Sequence, residues 1–155
     1  MWFEEIEIGT KRVLGTHTFT QDEIITFAKR YDPQNFHIDP DAAKASMFGG
    51  IIASGWHTMA MWMRYAVLSR QREAAERGVE GPGGVSPGFE DVRWQKPVRP
   101  GDTLTFTMET VGKRDLASRP ALGLVLSRNE ARGPDGTLYM SFTGKGLVPR
   151  KPNGG

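Results

Sequence analysis

A carboxylate and an imidazole stand five residues apart in the first part of the chain, at Asp32 and His37. An imidazole titrates near neutral pH and a carboxylate beside it is ionised there, so such a pair can take up and release protons. Pro33 lies between them in a short predicted loop between two helices, and a rigid loop can direct both side chains into one cleft. The residue types alone leave a second interpretation open, because Asp, Asn and Pro are ordinary turn residues.

A second candidate lies in Phe48–Trp56, where small residues lead into a long helical segment. The first N–H groups of a helix have no partner inside it, and the helix dipole favours negative charge there. The backbone N–H of Gly55 is therefore a candidate donor to an oxyanion. Ser54 is placed to cap this helix or to orient Asp32 or a water molecule. Tight packing at a turn is the alternative reason for the glycines.

Helices are expected on both sides of the acid–base pair. Thr20 and Glu23 form a capping box, which is typical of a helix start. That helix should end near Tyr31, because the residue before a proline is pushed out of helical geometry. Asp39 followed by proline starts another. The predicted helices are 20–31, 39–46 and 55–77.

The longest predicted helix, 55–77, is apolar nearly all round in its first three turns and charged in its last two. A helix of the first kind is buried, so we expect it at the centre of the fold with its charged end in water. Its methionines and tryptophans are more typical of a core than of a cofactor site.

The remainder of the chain predicts β-strands. Pro-Gly and glycine-rich turns separate them, and consecutive strands joined by short turns favour an antiparallel sheet. A buried helix against such a sheet is an α+β layer architecture. The open edges of the sheet lead us to expect at least a homodimer. The predicted strands are 11–19, 85–94, 103–111, 121–131 and 138–148.

The chain length of 155 residues predicts one domain, 1–150, followed by a flexible tail, 151–155. The sequence has no cysteine, which excludes disulfides, a thiol nucleophile and Cys-based metal sites. The three histidines, His17, His37 and His57, lack metal-binding spacing, so no metal is expected. His17 is interpreted as a surface or strand-pairing residue, and His57 as a buried, hydrogen-bonded one.

The charge pattern bears on partners and location. A net charge of +2 without a Lys/Arg stripe predicts no nucleic-acid partner. No apolar run reaches 18 residues, so no membrane span is expected. The first ten residues lack a signal-peptide pattern, and we expect a cytoplasmic protein.

Three motifs in order carry a family resemblance: Asp32…His37, the helix start IIASG at 51–55, and PVRPGD at 97–102. Together they resemble the MaoC-like dehydratase family, which includes the (R)-specific enoyl-CoA hydratases, over nearly the whole chain. The commonest family motif is G-D-x-N-P-aliphatic-H-x-D/E, and this chain differs from it while keeping Asp32, His37 and Asp39. It has Tyr31 for the glycine, Asn35 for the proline, Phe36 for the aliphatic residue, and Ser54-Gly55 where well-studied members have His-Gly.

The resemblance implies a hot-dog fold, in which an antiparallel sheet wraps around a long central helix. It also implies hydration of a 2-enoyl thioester, or dehydration of a 3-hydroxyacyl thioester, carried by CoA or an acyl carrier. Asp32 and His37 would hold the water and handle both protons, and the Gly55 N–H would bind the thioester oxygen. The substrate would also contact Ser54, Asn35 and Trp56, and no cofactor is implied beyond the CoA thioester itself.

Two other functions are compatible with a hot-dog fold. A thioesterase of this fold usually relies on a carboxylate on or near the central helix, and here the first one is Glu73, at the charged end. A non-catalytic domain that binds acyl thioesters would keep the groove without the chemistry, since a fold does not define a function.

Overall fold

The computed structural model describes residues 1–78 and 84–152, which form one antiparallel sheet and four helices after a short 3-10 turn, Phe3–Glu5. The helices of the described ranges are α1 (Gln21–Tyr31), α2 (Asn35–Ile38), α3 (Pro40–Ala45) and α4 (Gly55–Arg77). The strands are β1 (Lys11–Thr18), β2 (Val85–Trp94), β3 (Thr103–Asp115), β4 (Leu122–Arg132) and β5 (Leu138–Pro149).

The five strands are ordered β1-β3-β4-β5-β2, and every neighbouring pair is antiparallel. All five strands were predicted, and so were α1, α3 and α4. β3 runs on to Asp115 instead of ending at Val111, because a bulge between Thr110 and Gly112 shifts the register without ending the pairing with β4. The edge strands are β1 and β2.

Helix α4 lies against one face of the sheet through its aromatic side chains. The Trp62 ring meets Phe142 of β5 and Phe89 of β2 edge-on, at centroid distances of 4.7 and 5.9 Å. Tyr65 stacks on Phe106 of β3 at 5.7 Å. A long helix against an antiparallel sheet is the predicted α+β hot-dog arrangement, and its core is the layer between them.

The prediction that the first turns of α4 are buried all round is wrong for this chain. His57, Thr58, Met59 and Trp62 are buried, but the Trp56 side is not, with Trp56 62% exposed. Met63 is also 43% exposed. A single five-stranded sheet covers only one side of a helix, so the apolar residues on the other side remain in contact with solvent.

Two predictions fall partly outside the described residues. The glycine-rich stretch Gly78–Gly88, which its composition predicts as a long surface loop, includes 79–83, and its last four residues belong instead to β2. The predicted tail includes 153–155. Within the described part, Gly78 ends α4 in the left-handed conformation, with φ of 66°. None of the helices in 1–78 and 84–152 is both long and apolar enough to span a membrane.

Candidate active site

The two predicted acid–base residues meet. Asp32 is the C-cap of α1, and His37 lies in α2, with Nε2 3.2 Å from Asp32 Oδ2. The segment between α1 and α3 was predicted as a loop, and instead it contains the single helical turn α2. That turn, closed by the hydrogen bond from Asp39 N to Asn35 O at 3.0 Å, brings the imidazole back over the end of α1.

The orientation of the His37 ring is defined by the backbone of Ile52. Nδ1 of His37 lies 2.6 Å from the Ile52 carbonyl oxygen, which can only accept, so Nδ1 carries a proton and donates it. The Ile52 N–H in turn donates to the carbonyl of Phe36 at 3.2 Å. His37 is only 4% exposed. Nε2, which faces Asp32, is therefore the nitrogen that can exchange a proton with a ligand.

Both oxygens of Asp32 accept hydrogen bonds. Ser54 Oγ donates to Oδ2 at 2.7 Å and Gln34 Nε2 donates to Oδ1 at 2.8 Å. Partial burial of the carboxyl raises its pKa, but the hydrogen bonds from Ser54 and Gln34 and the contact with His37 outweigh it and hold the pKa of Asp32 below its ordinary value. At neutral pH the group is a carboxylate.

Ser54 has both of the roles considered for it from the sequence. Its hydroxyl donates to Asp32 and also accepts the backbone N–H of Trp56 at 3.3 Å, which makes it the N-cap of α4. Ser54 is completely buried. It thus connects the carboxylate to the first turn of the central helix. Its predicted contact with substrate stays a prediction.

Gly55 is the first residue of α4, and its N–H has no acceptor among residues 1–78 and 84–152. A reason for the glycine that the sequence did not reveal is the ring of Trp94, which occupies the place of a side chain at Gly55, so that a Cβ would overlap it. The indole Nε1 of Trp94 donates to the Gly55 carbonyl at 3.1 Å. Sequence reasoning missed Trp94, although it stands three residues before the PVRPGD motif.

The PVRPGD motif supports the segment that carries Ile52 and Ser54. The Val98 carbonyl accepts the N–H of Ala53 at 2.8 Å, and the Arg99 guanidinium donates to the Phe48 carbonyl at 2.7 Å. Gly101, with φ of 88°, donates its N–H to Phe19 O at 2.7 Å just before β3. The motif is a turn before a strand, as predicted, and it also braces the candidate site.

The remaining predicted substrate contacts are at the surface. Asn35 is exposed on α2, and Trp56 is exposed with its ring edge-on to Trp94 at 5.7 Å. Their roles in binding substrate stay predictions. In the described ranges, no three His, Asp or Glu side chains converge as metal ligands would.

The other two histidines lie in a separate cluster. His57 is buried as predicted, stacked on Phe27 at 4.6 Å, but the prediction that it is fully hydrogen-bonded is wrong, because its Nδ1 has no partner in the part of the chain described. His17 is more than a strand-pairing residue: its two nitrogens lie 2.7 Å from Glu23 Oε1 and 3.1 Å from the Tyr65 hydroxyl.

The geometry brings together a carboxylate, one available imidazole nitrogen and, next to Ser54 along the chain, an unpaired peptide N–H at a helix start. Such a set can move protons at one point while it stabilises negative charge on an oxygen nearby. These are the requirements for adding water across a carbon–carbon double bond conjugated to a carbonyl group, or for forming that double bond by removing water.

Known proteins with similar sequences and structures bear on this chemistry. The family model described as "MaoC like domain" matches residues 4–127. Over 117 residues, 75% of this chain and 74% of the relative, the sequence is 33% identical to 3-hydroxyacyl-thioester dehydratase Z of Mycobacterium tuberculosis. The crystal structure of a MaoC-like dehydratase from Rhodospirillum rubrum is similar with a TM-score of 0.83 at 31% identity, covering 99% of each chain. An R-hydratase of Pseudomonas aeruginosa, at 21% identity and a TM-score of 0.69 over 97% of this chain and 86% of that one, shares the fold.

Proposed function

The chain belongs to the MaoC-like domain family, and on that premise we propose that it hydrates a 2-enoyl thioester or dehydrates a 3-hydroxyacyl thioester. The observation that carries the proposal is the 3.2 Å contact between Asp32 Oδ2 and His37 Nε2. It joins an ionised carboxylate to the only nitrogen of that imidazole left free for proton exchange, beside the helix start at Ser54 and Gly55. The relative with 33% identity is named a 3-hydroxyacyl-thioester dehydratase, which supports this reaction class.

In the proposed reaction, the oxygen of a water molecule bonds to the β-carbon while the pair of Asp32 and His37 takes one of its protons. The electron pair of the double bond moves toward the thioester, and the α-carbon receives a proton from the pair. The pair therefore ends in the protonation state in which it began. Charge that builds on the thioester oxygen would be bound by the Gly55 N–H, and a donor of this kind typically lowers the barrier by about 3 kcal/mol. In this proposal the steps use only the side chains and backbone of the chain and the thioester substrate.

The test is an activity screen with a panel of short to medium enoyl-CoAs, following loss of the conjugated enoyl absorbance. Asp32→Asn and His37→Gln should each lower kcat by at least about 100-fold, because proton transfer by a positioned group is worth that much. Asp41→Asn, an exposed carboxylate on α3, is the matched control and should keep full activity. Circular dichroism and thermal unfolding check that each variant is folded.

The outcomes separate the alternatives. Full activity in Asp32→Asn or His37→Gln contradicts the mechanism. Release of free thiol from acyl-CoA would indicate the thioesterase. The position of the first acidic residue of α4, Glu73, argues against that function, since Glu73 lies at the charged end of the helix and is paired with Arg12 of β1 at 2.7 Å. Saturable acyl-CoA binding without any turnover would indicate the non-catalytic binding domain.

We also propose that the protein is a homodimer joined along β2. This strand lies at an edge of the sheet, where backbone N–H and C=O groups are free to pair with a second copy. Large apolar side chains are exposed on the strand and on the neighbouring face of α4; they are Val85, Phe89, Trp94, Trp56 and Met63. The rings of Trp56 and Trp94 meet edge-on at 5.7 Å, so exposed apolar side chains of the helix and of the edge strand are in contact there, as a second copy would require.

Light scattering after size-exclusion chromatography tests the dimer. The wild type should have twice the chain mass of 17.2 kDa. Met63→Lys, which places a charge on the exposed face of α4, should shift the protein toward the monomer. Leu68→Lys places the same charge further along α4, on a residue that is 36% exposed, and should have the smaller effect. A monomeric wild type at micromolar concentration would rule out the dimer.

A further inference from the structure

Trp94, the last residue of β2, covers the start of the central helix. Its indole N–H donates to the carbonyl of Gly55 at 3.1 Å, and its ring lies where a side chain of residue 55 would be. One contact is polar and directional, and the other is steric. Together they restrict where the backbone of Gly55 can lie.

The support for Trp94 is a strand rather than a loop. Trp94 pairs with Met140 of β5, which is completely buried, and the next residue, Gln95, donates its N–H to Tyr139 O at 3.0 Å. Side chains held by strands and helices are placed more accurately than those on loops. The ring is therefore carried by the sheet, while the peptide that it contacts belongs to the helix.

Gly55 thus lies between two fixed points. On one side, the hydroxyl of Ser54 is bound to Asp32 Oδ2 at 2.7 Å. On the other, the Trp94 ring and its N–H hold the Cα and the carbonyl of Gly55. These two sets of contacts orient the N–H of Gly55. That N–H has no acceptor among the described residues.

We infer that Trp94 is a positioning residue for the peptide N–H that binds the thioester oxygen. The inference rests on the proposed hydration or dehydration reaction. Trp94 acts through Gly55 rather than on the reacting atoms, so its loss should lower the rate of the chemical step more than the affinity for substrate. A misplacement of about 1 Å in such a donor can cost up to about 100-fold in rate.

Trp94→Phe is the informative variant, because it keeps an aromatic ring at position 94 while it removes the N–H donor together with part of the indole that lies against Gly55. We expect kcat for an enoyl-CoA to fall about tenfold while KM changes by less than about threefold. Trp2→Phe, at the half-buried N-terminal turn, is the matched control and should leave both constants unchanged. Light scattering should show the same oligomeric state for wild type and variant.

A spectroscopic measurement separates positioning from a merely structural role. Butyryl-CoA, the saturated analogue, cannot be hydrated, and its thioester carbonyl can be labelled with ¹³C. In difference infrared spectra, the labelled carbonyl should absorb at lower frequency when bound to the wild type than in water. The shift should be smaller when it is bound to Trp94→Phe, because the donor is less well placed.

Gly55→Ala, made in the wild type and in Trp94→Ala, tests whether the Trp94 ring is the reason for a glycine at position 55. With Trp94 present, the added Cβ overlaps the ring and should lower kcat by at least about 100-fold. In the Trp94→Ala background, Gly55→Ala should cost less than about tenfold. An equal cost in both backgrounds would mean that the glycine makes room for the ligand and not for Trp94.

Failure of this inference can be told from failure of the proposed function. An active wild type whose Trp94→Phe variant keeps its kcat and its carbonyl frequency overturns the role of Trp94 alone. A wild type that hydrates no enoyl-CoA overturns both.

Discussion

The hydroxyl of Ser54 lies 2.7 Å from Oδ2 of Asp32 and ties this carboxylate to the first turn of α4. The same hydroxyl caps the helix by accepting the N–H of Trp56. The acid–base group and the helix start therefore move together. A change at either one should therefore affect the other.

Removing the Ser54 hydroxyl should affect both stability and rate. In Ser54→Ala the helix loses its N-cap, which typically costs about 1 kcal/mol of unfolding free energy. Asp32 loses the hydrogen bond that orients its carboxylate, so kcat should fall roughly 10- to 100-fold. Urea unfolding and steady-state kinetics measure the two effects. Thr20→Ala removes the N-cap of α1, where the Thr20 hydroxyl accepts Glu23 N at 3.2 Å, and should cost similar stability with full activity. Equal kinetics in both variants would contradict the connection.

Gln34 should control the pH dependence of the reaction. Its side chain donates to Asp32 Oδ1 and helps to hold the pKa of that carboxyl below its ordinary value. In Gln34→Ala the pKa of Asp32 should rise. Because the ionised form is the active one, activity is lost as pH falls through this pKa, and the acid limb of kcat should move to higher pH. The control is Gln71→Ala, an exposed glutamine on α4, for which the pH profile should superpose on the wild type. An unmoved limb in Gln34→Ala would refute the effect.

His57 should make the fold less stable in mild acid. Burial lowers the pKa of His57, opposed by the charge of Glu23 and assisted by His17, so the folded protein resists protonating this imidazole. The unfolded chain takes up that proton below about pH 6.5. The unfolded state then binds more protons, and the free energy of unfolding should decrease from pH 7.5 to pH 5.5. His57→Leu removes this contribution, and urea unfolding at both pH values should show a smaller loss for the variant. Identical losses would argue against the buried imidazole as the cause.

Gly15 of β1 should tolerate no side chain, because a Cβ there would overlap the ring of Tyr65 on α4. Gly15→Ala should lower the free energy of unfolding by about 1–3 kcal/mol, the usual cost of overpacking a core. Gly146→Ala in β5 is the control, since the nearest atom to its Cβ would be Val125 O at 4.0 Å. It should be nearly neutral. Urea unfolding of both variants measures the difference, and equal stabilities would contradict the packing.

The sequence was most informative where local chemistry decides the structure. The Thr20 cap and the turn before β3 are each defined by neighbouring residues, and each lies where it was predicted. Helix α2 was missed because four residues are too short for a periodic pattern. The continuation of β3 past Val111 depends on pairing with β4, which local sequence does not contain.

The candidate site was predictable in its members but not in its contacts. Residue type and spacing made Asp32 and His37 candidates but left ordinary turn residues as the alternative, and the family resemblance favoured the catalytic interpretation. The indole of Trp94 on Gly55 joins residues 39 positions apart, and nothing local to either residue indicates it. The exposed side chain of Trp56 shows a second limit of the sequence. An apolar pattern predicts that a helix face is buried, but it does not say what covers that face.

His37 is held through the backbone of Ile52, whose carbonyl accepts the hydrogen bond from Nδ1–H and whose own N–H donates to the carbonyl of Phe36. Main-chain atoms are common to every amino acid. The residue type at position 52 can therefore vary within the limits of packing. The number of residues between 38 and 51 cannot. One residue inserted or deleted there would put a different peptide opposite the imidazole, and Nδ1 of His37 would lose the carbonyl acceptor that defines its tautomer.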